Sequence, residues 1–162
     1  MVKLASPEQA KEKKATRAAY GVTLAALAEE GMNIVAVDAD LTGSTTTKKF
    51  AQARPENEDR LFNVGIAEQN MVGVAAGLSL AGNIAFTGSF AVFGTGRAYD
   101  QIRNTVCYSN LNVKIAPTHA AFRLALMVAL IKCLKIFRSC EDCLICGYWF
   151  LQIMQHAVQQ FV

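Results

Sequence analysis

Four short, largely apolar runs punctuate this chain, spaced so that one helix fits between successive runs. They are Ile34-Val35-Ala36-Val37, 61–64, Ala85-Phe86-Thr87 and Val113-Lys114-Ile115-Ala116. The first reads as a buried strand and the other three as short strands. Before the first run and after the second and third lie stretches suited to helices, 16–30, 67–80 and 97–109; in the first, Ala19, Val22, Ala26 and Leu27 recur at helical spacing and Gly31 supplies a stop. The segment 54–60 is polar and reads as a loop. Alternating elements of this kind predict an α/β fold with a doubly wound, mainly parallel sheet. Ligands in such sheets sit beyond the C-terminal ends of the strands. That rule draws attention to Asp38 and Asp40 with the Thr/Ser-rich loop 42–47, and to His119 at the end of the last run.

The chain has 162 residues, 52% hydrophobic and 18% charged, which fits one packed domain rather than a disordered segment. Its net charge of +3 is small. Lys3, Lys11, Lys13 and Lys14 cluster ahead of the first helix, which suits a solvated helix start better than a nucleic-acid site. Charge from Lys11 onward, with no apolar core leading to a small-residue cleavage site, gives no signal peptide, so a cytoplasmic location is expected. No membrane association is expected either, because Arg123, Lys132 and Lys135 break the best candidate for the roughly 18 apolar residues of a spanning helix.

One acidic residue stands out in the strand-to-helix turn Val64-Gly65-Ile66-Ala67-Glu68-Gln69-Asn70-Met71. Leu61 and Phe62 precede it, and Met71, Val72, Val74, Ala75, Ala76, Leu78 and Leu80 follow, so Glu68 should be desolvated, where a carboxyl group resists ionisation. Taken alone, the residue equally suits a first-turn carboxylate stabilised by the helix dipole. Phe90 and Phe93, three apart, suit either core packing or a platform for a flat ligand.

Six motifs occur in order: Ala15-Thr16-Arg17, Asp38-Ala39-Asp40-Leu41-Thr42-Gly43-Ser44, Gly65-Ile66-Ala67-Glu68-Gln69-Asn70-Met71, Gly88-Ser89-Phe90-Ala91-Val92-Phe93, Tyr99-Asp100-Gln101-Ile102-Arg103 and Pro117-Thr118-His119-Ala120. Over about residues 12–120 the chain thereby resembles the pyrimidine-binding domain of transketolase, in particular the separate C-terminal subunit of two-chain transketolases. The resemblance implies thiamine diphosphate as cofactor. It makes Glu68 the carboxyl group that tunes the aminopyrimidine, with Asp40, Ile66, Phe90 and Phe93 also at the cofactor. Arg17 and Ser44 match positions that contact a sugar phosphate, and His119 matches a catalytic histidine near the substrate hydroxyl groups. Read without the family, Asp40 is a helix cap and Arg17 a surface helix residue. Where some members carry a third aromatic three residues beyond the second, this chain has Gly96.

The chain carries no Gly-Asp-Gly segment with a downstream Asn of the kind that holds the diphosphate and magnesium. The resemblance therefore implies a partner, an N-terminal transketolase subunit, with magnesium reaching the site only through it and an oligomer when intact.

After Ala120 the chain changes character. All three prolines and ten of the eleven glycines lie before that point, while four of the five cysteines lie after it. Restoring one guanine to the codon after Ala120 turns the tail into a permitted sequence. It carries the Gly, His-Gln, Glu-Asp-Ile, Met-Arg-Gly-Leu-Pro and Pro-Ala-Asp features that the family would continue with. The expected organisation is therefore an incomplete pyrimidine-binding domain over 1–120 and an out-of-frame, non-homologous tail over 121–162. Cys133, Cys140, Cys143 and Cys146 are then accidental neighbours, and no metal site is expected there.

The function expected on this reading is the pyrimidine-domain part of a two-subunit transketolase, which moves a two-carbon ketol unit between sugar phosphates, inactive in this form. The alternatives are a non-catalytic fragment that binds a partner subunit or nothing, and a deoxyxylulose phosphate synthase-like or dehydrogenase-like subunit. Gln69-Asn70-Met71 and Asp38-Ala39-Asp40 favour transketolase.

Overall fold

A computed structural model describes residues 16–119. The tail 121–162, its cysteines, His156 and the basic cluster before residue 16 lie outside the described residues. The elements run α1 (Thr16–Glu29), β1 (Ile34–Asp38), α2 (Lys48–Ala53), a 3₁₀ turn (Pro55–Arg60), β2 (Leu61–Asn63), α3 (Glu68–Leu80), β3 (Ile84–Gly88), α4 (Ala91–Gly96), a π-helical segment (Gln101–Cys107) and β4 (Val113–Ile115).

All strand pairs are parallel, in the order β2-β1-β3-β4. The fold is a doubly wound α/β domain. β1 is buried at every position and β3 at all but its first, as strands packed on both faces require. One face packs α3 and the π-helical segment through Val35, Val37, Met71, Val72, Ala75 and Ile102. The other packs α1 and α2 through Leu24, Ile34, Ala36, Phe50 and Phe86. Chain order leaves β1 toward β2 and then returns past β1 to β3, so the crevice between the ends of β1 and β3 is the switch point of the sheet.

The expected strands and the first two helices are present, with α1 closed at Gly31, whose φ of 82° suits only glycine well. Three expectations need correction. The face of α1 is not the one read from its periodicity: Leu24 and Ala28 are buried, whereas Ala19 and Ala26 are exposed and Val22 is 56% exposed. So nearly uniform an apolar helix has no polar side by which periodicity can choose a face. Segment 54–60 is a 3₁₀ turn, pinned by Asn57, whose side-chain amide donates to the Phe50 carbonyl at 2.9 Å, and by Arg60, whose Nε donates to the Ile34 carbonyl at 2.7 Å. The helix expected over 97–109 is preceded by α4 and is π-helical over Gln101–Cys107.

Gly21 allows α1 to lie against the loop after β1. A Cβ there would meet the carbonyl oxygen and hydroxyl of Thr46. Gly21→Ala is expected to lower stability by about 1–2 kcal/mol, overpacking outweighing the gain in helix propensity. A urea midpoint that does not fall would contradict this contact.

Candidate active site

The edge formed by the C-terminal ends of the strands carries the site. Two tethers shape it before any functional side chain is placed. At the end of β2, Asn63 Oδ1 accepts from the backbone N–H groups of Asp40 and Gly65, both at 3.1 Å, tying the loop after β1 to the turn before α3. At the end of β1, the fully buried Asp38 organises residues 39–47. Its Oδ1 accepts from the Leu41 N–H at 2.7 Å, and its Oδ2 accepts from the hydroxyls of Thr45 and Thr47 at 2.9 and 3.0 Å. Burial pushes the Asp38 carboxyl above its ordinary range; these three hydrogen bonds hold it down in part, and Asp40 adds to the rise. Burial, and then the proximity of Asp38, push the Tyr20 phenol upward; its hydroxyl donates to the Thr87 carbonyl at 3.2 Å. Sequence reading noted Asp38 only as a strand-end acid. Thr45 and Thr47, seven and nine residues downstream in a threonine-rich loop, are the available signal.

Glu68 opens α3 and is 4% exposed, as its apolar flanks require. It is not alone there. Arg97, which the sequence reading missed, places Nη1 3.1 and 3.3 Å from the two carboxylate oxygens. The same guanidinium lies over the Phe93 ring, with Cζ 4.1 Å from the centroid. The signal was the four-residue spacing from Phe93 to Arg97, one helical turn.

Phe93 continues the row. Its ring lies 6.1 Å from that of Phe90 with an interplanar angle of 27°, and Phe90 lies 4.2 Å from the His119 ring. His119 has a positive φ of 61°, a backbone setting uncommon outside glycine. Its Nε2 is 3.4 Å from Arg17 Nη1 and its Nδ1 is 2.8 Å from the Thr118 hydroxyl. A guanidinium can only donate, so Nε2 accepts and the proton sits on Nδ1. Burial, then the Arg17 charge, hold His119 below the ordinary histidine range, consistent with this neutral tautomer. In an NMR titration the His119 pKa is expected to rise in Arg17→Gln yet stay below 6.5, because burial remains. An unchanged value would mean that the Arg17 contact does not form.

The structure thus brings Glu68, Phe93, Phe90, His119 and Arg17 into one continuous row, with Arg97 as the link. It does not bring in the others. Asp40 and Ser44 are exposed on the loop after β1, and Ile66 is 76% exposed on the turn before α3. Among the described residues, no hydrogen bond or ring contact joins these three to the row. Asp40 has a φ of 62°, a setting that Asp tolerates better than most residues.

The chemistry available on this edge is a buried carboxylate, a planar apolar surface and a neutral imidazole. Among the described residues, no group of three or more metal-ligating side chains could hold an ion, and no helix is long and apolar enough to cross a membrane.

Comparison with known proteins places the chain. Residues 12–154 match the transketolase pyrimidine-binding domain, a match that crosses residue 120. A transketolase C-terminal section from Methanocaldococcus jannaschii is 53% identical over 107 residues, covering 66% of this chain and 33% of that protein. The 1-deoxy-D-xylulose-5-phosphate synthase of Pelotomaculum thermopropionicum is 42% identical over 99 residues, 60% of this chain and 15% of that enzyme. A solved structure described as a split-gene transketolase, an inactive β4 tetramer, superposes with a TM-score of 0.58 at 57% identity, covering 67% of this chain and 35% of the other. The chain spans about a third or less of the length of these relatives.

Proposed function

This chain belongs to the transketolase pyrimidine-binding domain family, and on that premise we propose that it supplies the pyrimidine half of a thiamine diphosphate site completed by a second polypeptide, in a two-subunit transketolase. One observation carries the reading. A buried carboxylate and an aromatic ring at the sheet edge already hold a flat, N–H-bearing group between them, the guanidinium of Arg97. An aminopyrimidine is another such group, and a carboxylate acceptor beside an aromatic face fits it.

Bound there, thiamine diphosphate would supply the nucleophilic carbon for moving a two-carbon ketol unit between sugar phosphates. Glu68 would hydrogen-bond the pyrimidine ring nitrogen and set its tautomer. Phe90 and Phe93 would bury the faces of the ring, with Ile66 packing beside it and Asp40 on the side toward the partner. Arg17 and Ser44 would take the substrate phosphate. His119, neutral and with its lone pair facing the Arg17 side, would accept from a sugar hydroxyl. The partner is an N-terminal, diphosphate-binding subunit that brings magnesium, within a cytoplasmic oligomer.

The similarity to a deoxyxylulose phosphate synthase keeps that chemistry as a neighbour of this reading. Gln69-Asn70-Met71 and Asp38-Ala39-Asp40 favour ketol transfer. The change of composition after Ala120 favours a second reading, an out-of-frame product that has kept the half-site without turnover. Co-expression with an N-terminal transketolase subunit tests the proposal. Co-purification of the pair and retention of thiamine diphosphate support the shared site. Co-purification without cofactor retention supports the fragment reading, and absence of both removes the assignment.

A further inference from the structure

Arg97 makes two contacts at once that a pyrimidine ring would need for itself. Its Nη1 is shared between both oxygens of Glu68, at 3.1 and 3.3 Å, and its Cζ lies over the Phe93 ring, 4.1 Å from the centroid. The two ends of the ion pair differ in freedom: the Glu68 side chain is 5% exposed, whereas that of Arg97 is 52% exposed. Glu68 is fixed by the packing of α3, and Arg97 can leave by rotating into water. The backbone around Arg97 stays fixed, since its carbonyl accepts from Gln69 Nε2 at 3.1 Å and its N–H donates to the Phe93 carbonyl at 3.2 Å.

From this geometry, and resting on the pyrimidine-site reading above, we infer that Arg97 is an internal occupant of the site, which a planar, N–H-donating heteroaromatic ligand must displace from Glu68 and Phe93. The guanidinium neutralises the buried carboxylate while no ligand is present, removing the penalty of an unpaired buried charge. It also lowers apparent affinity, because only the fraction of molecules with Arg97 withdrawn can bind. Withdrawal restores part of that penalty and solvates the half-exposed cation more fully, so the competent fraction is small, on the order of one tenth.

The test uses the full chain and thiamine, titrated by ligand-observed NMR, with Arg97→Ala, Arg97→Met and Glu68→Gln alongside. Arg97→Met keeps an apolar stem against Phe93, so it serves if Arg97→Ala loses its native melting transition. Binding about tenfold tighter in the Arg97 variants, with binding lost in Glu68→Gln, is the expected result. Equal or weaker binding in both Arg97 variants, with Glu68→Gln still impaired, overturns the inference and makes Arg97 a support for Glu68 while the site reading stands. Thiamine binding that Glu68→Gln leaves unchanged, or no binding by any variant, overturns the site reading and the inference together.

Discussion

Glu68→Gln is expected to weaken thiamine diphosphate binding by the assembly of this chain with a diphosphate-binding subunit by about 10- to 100-fold. The carboxylate is buried at the first turn of α3, and no other carboxylate lies in the row of residues running from Arg97 to Arg17. A hydrogen bond to a charged group in such a place contributes roughly 1.5–3 kcal/mol, and glutamine keeps the shape while removing the charge. In an assembly that turns over, the same change should lower turnover by about 10²- to 10³-fold, within the span usual for a group that controls a proton in the reacting system. Calorimetry measures the first effect and a ketol-transfer assay the second. Stability should move little, because the Arg97 left behind is half in water and needs no buried partner. A variant that binds the cofactor as well as the parent does would separate Glu68 from the cofactor altogether.

The second large effect is on stability and falls on Asp38. Asp38→Ala removes the acceptor for the Leu41 N–H and for the hydroxyls of Thr45 and Thr47 in a buried setting. Leaving such donors short of a partner should lower stability by about 2–4 kcal/mol and loosen the loop that carries Asp40 and Ser44. Asp38→Asn keeps an acceptor of the same shape and should stay within about 1 kcal/mol of the parent at neutral pH. The pH dependence has a definite sign. Burial raises the folded-state pKa of Asp38 above its unfolded value. The folded chain then binds more protons than the unfolded one between the two values, and the contribution of Asp38 to stability falls as pH rises through that window. The window opens near the unfolded value of about 3.9 and closes at the raised folded value. Urea midpoints measured upward from that pH should decline more steeply in the parent than in Asp38→Asn. Parallel curves would mean that the carboxyl is not perturbed.

The architecture was legible because it rests on one strong pattern. A fully buried parallel strand leaves an apolar run such as 34–37, and three further short strand-like runs at helix-length separations leave few arrangements other than a doubly wound sheet. Glu68 was legible for a related reason: a lone acid inside an apolar strand-to-helix turn has nowhere to go but the edge of the sheet. What escaped the sequence depended on contacts between distant segments. Arg97 is 29 residues from Glu68, and nothing local announces that its helical turn points at that carboxylate. The threonines at 45 and 47 read as a polar loop, although both are buried and fold back on Asp38. The buried face of α1 was misjudged because leucine, alanine and valine surround that helix, and the choice among its sides is made by the sheet and α2. Motif matching placed Asp40, Ser44 and Ile66 at the site, yet they stand exposed on its rim, where a partner chain would have to bring the remaining contacts.

The central claim is that the cofactor site is shared between two chains and that this one holds the pyrimidine end. The most direct measurement is a calorimetric titration of thiamine diphosphate, with magnesium, into an N-terminal transketolase subunit in the presence of increasing amounts of this chain. The account predicts that affinity rises with added chain and levels off at one chain per site. An affinity set entirely by the N-terminal subunit, unchanged at every amount of this chain, would contradict it.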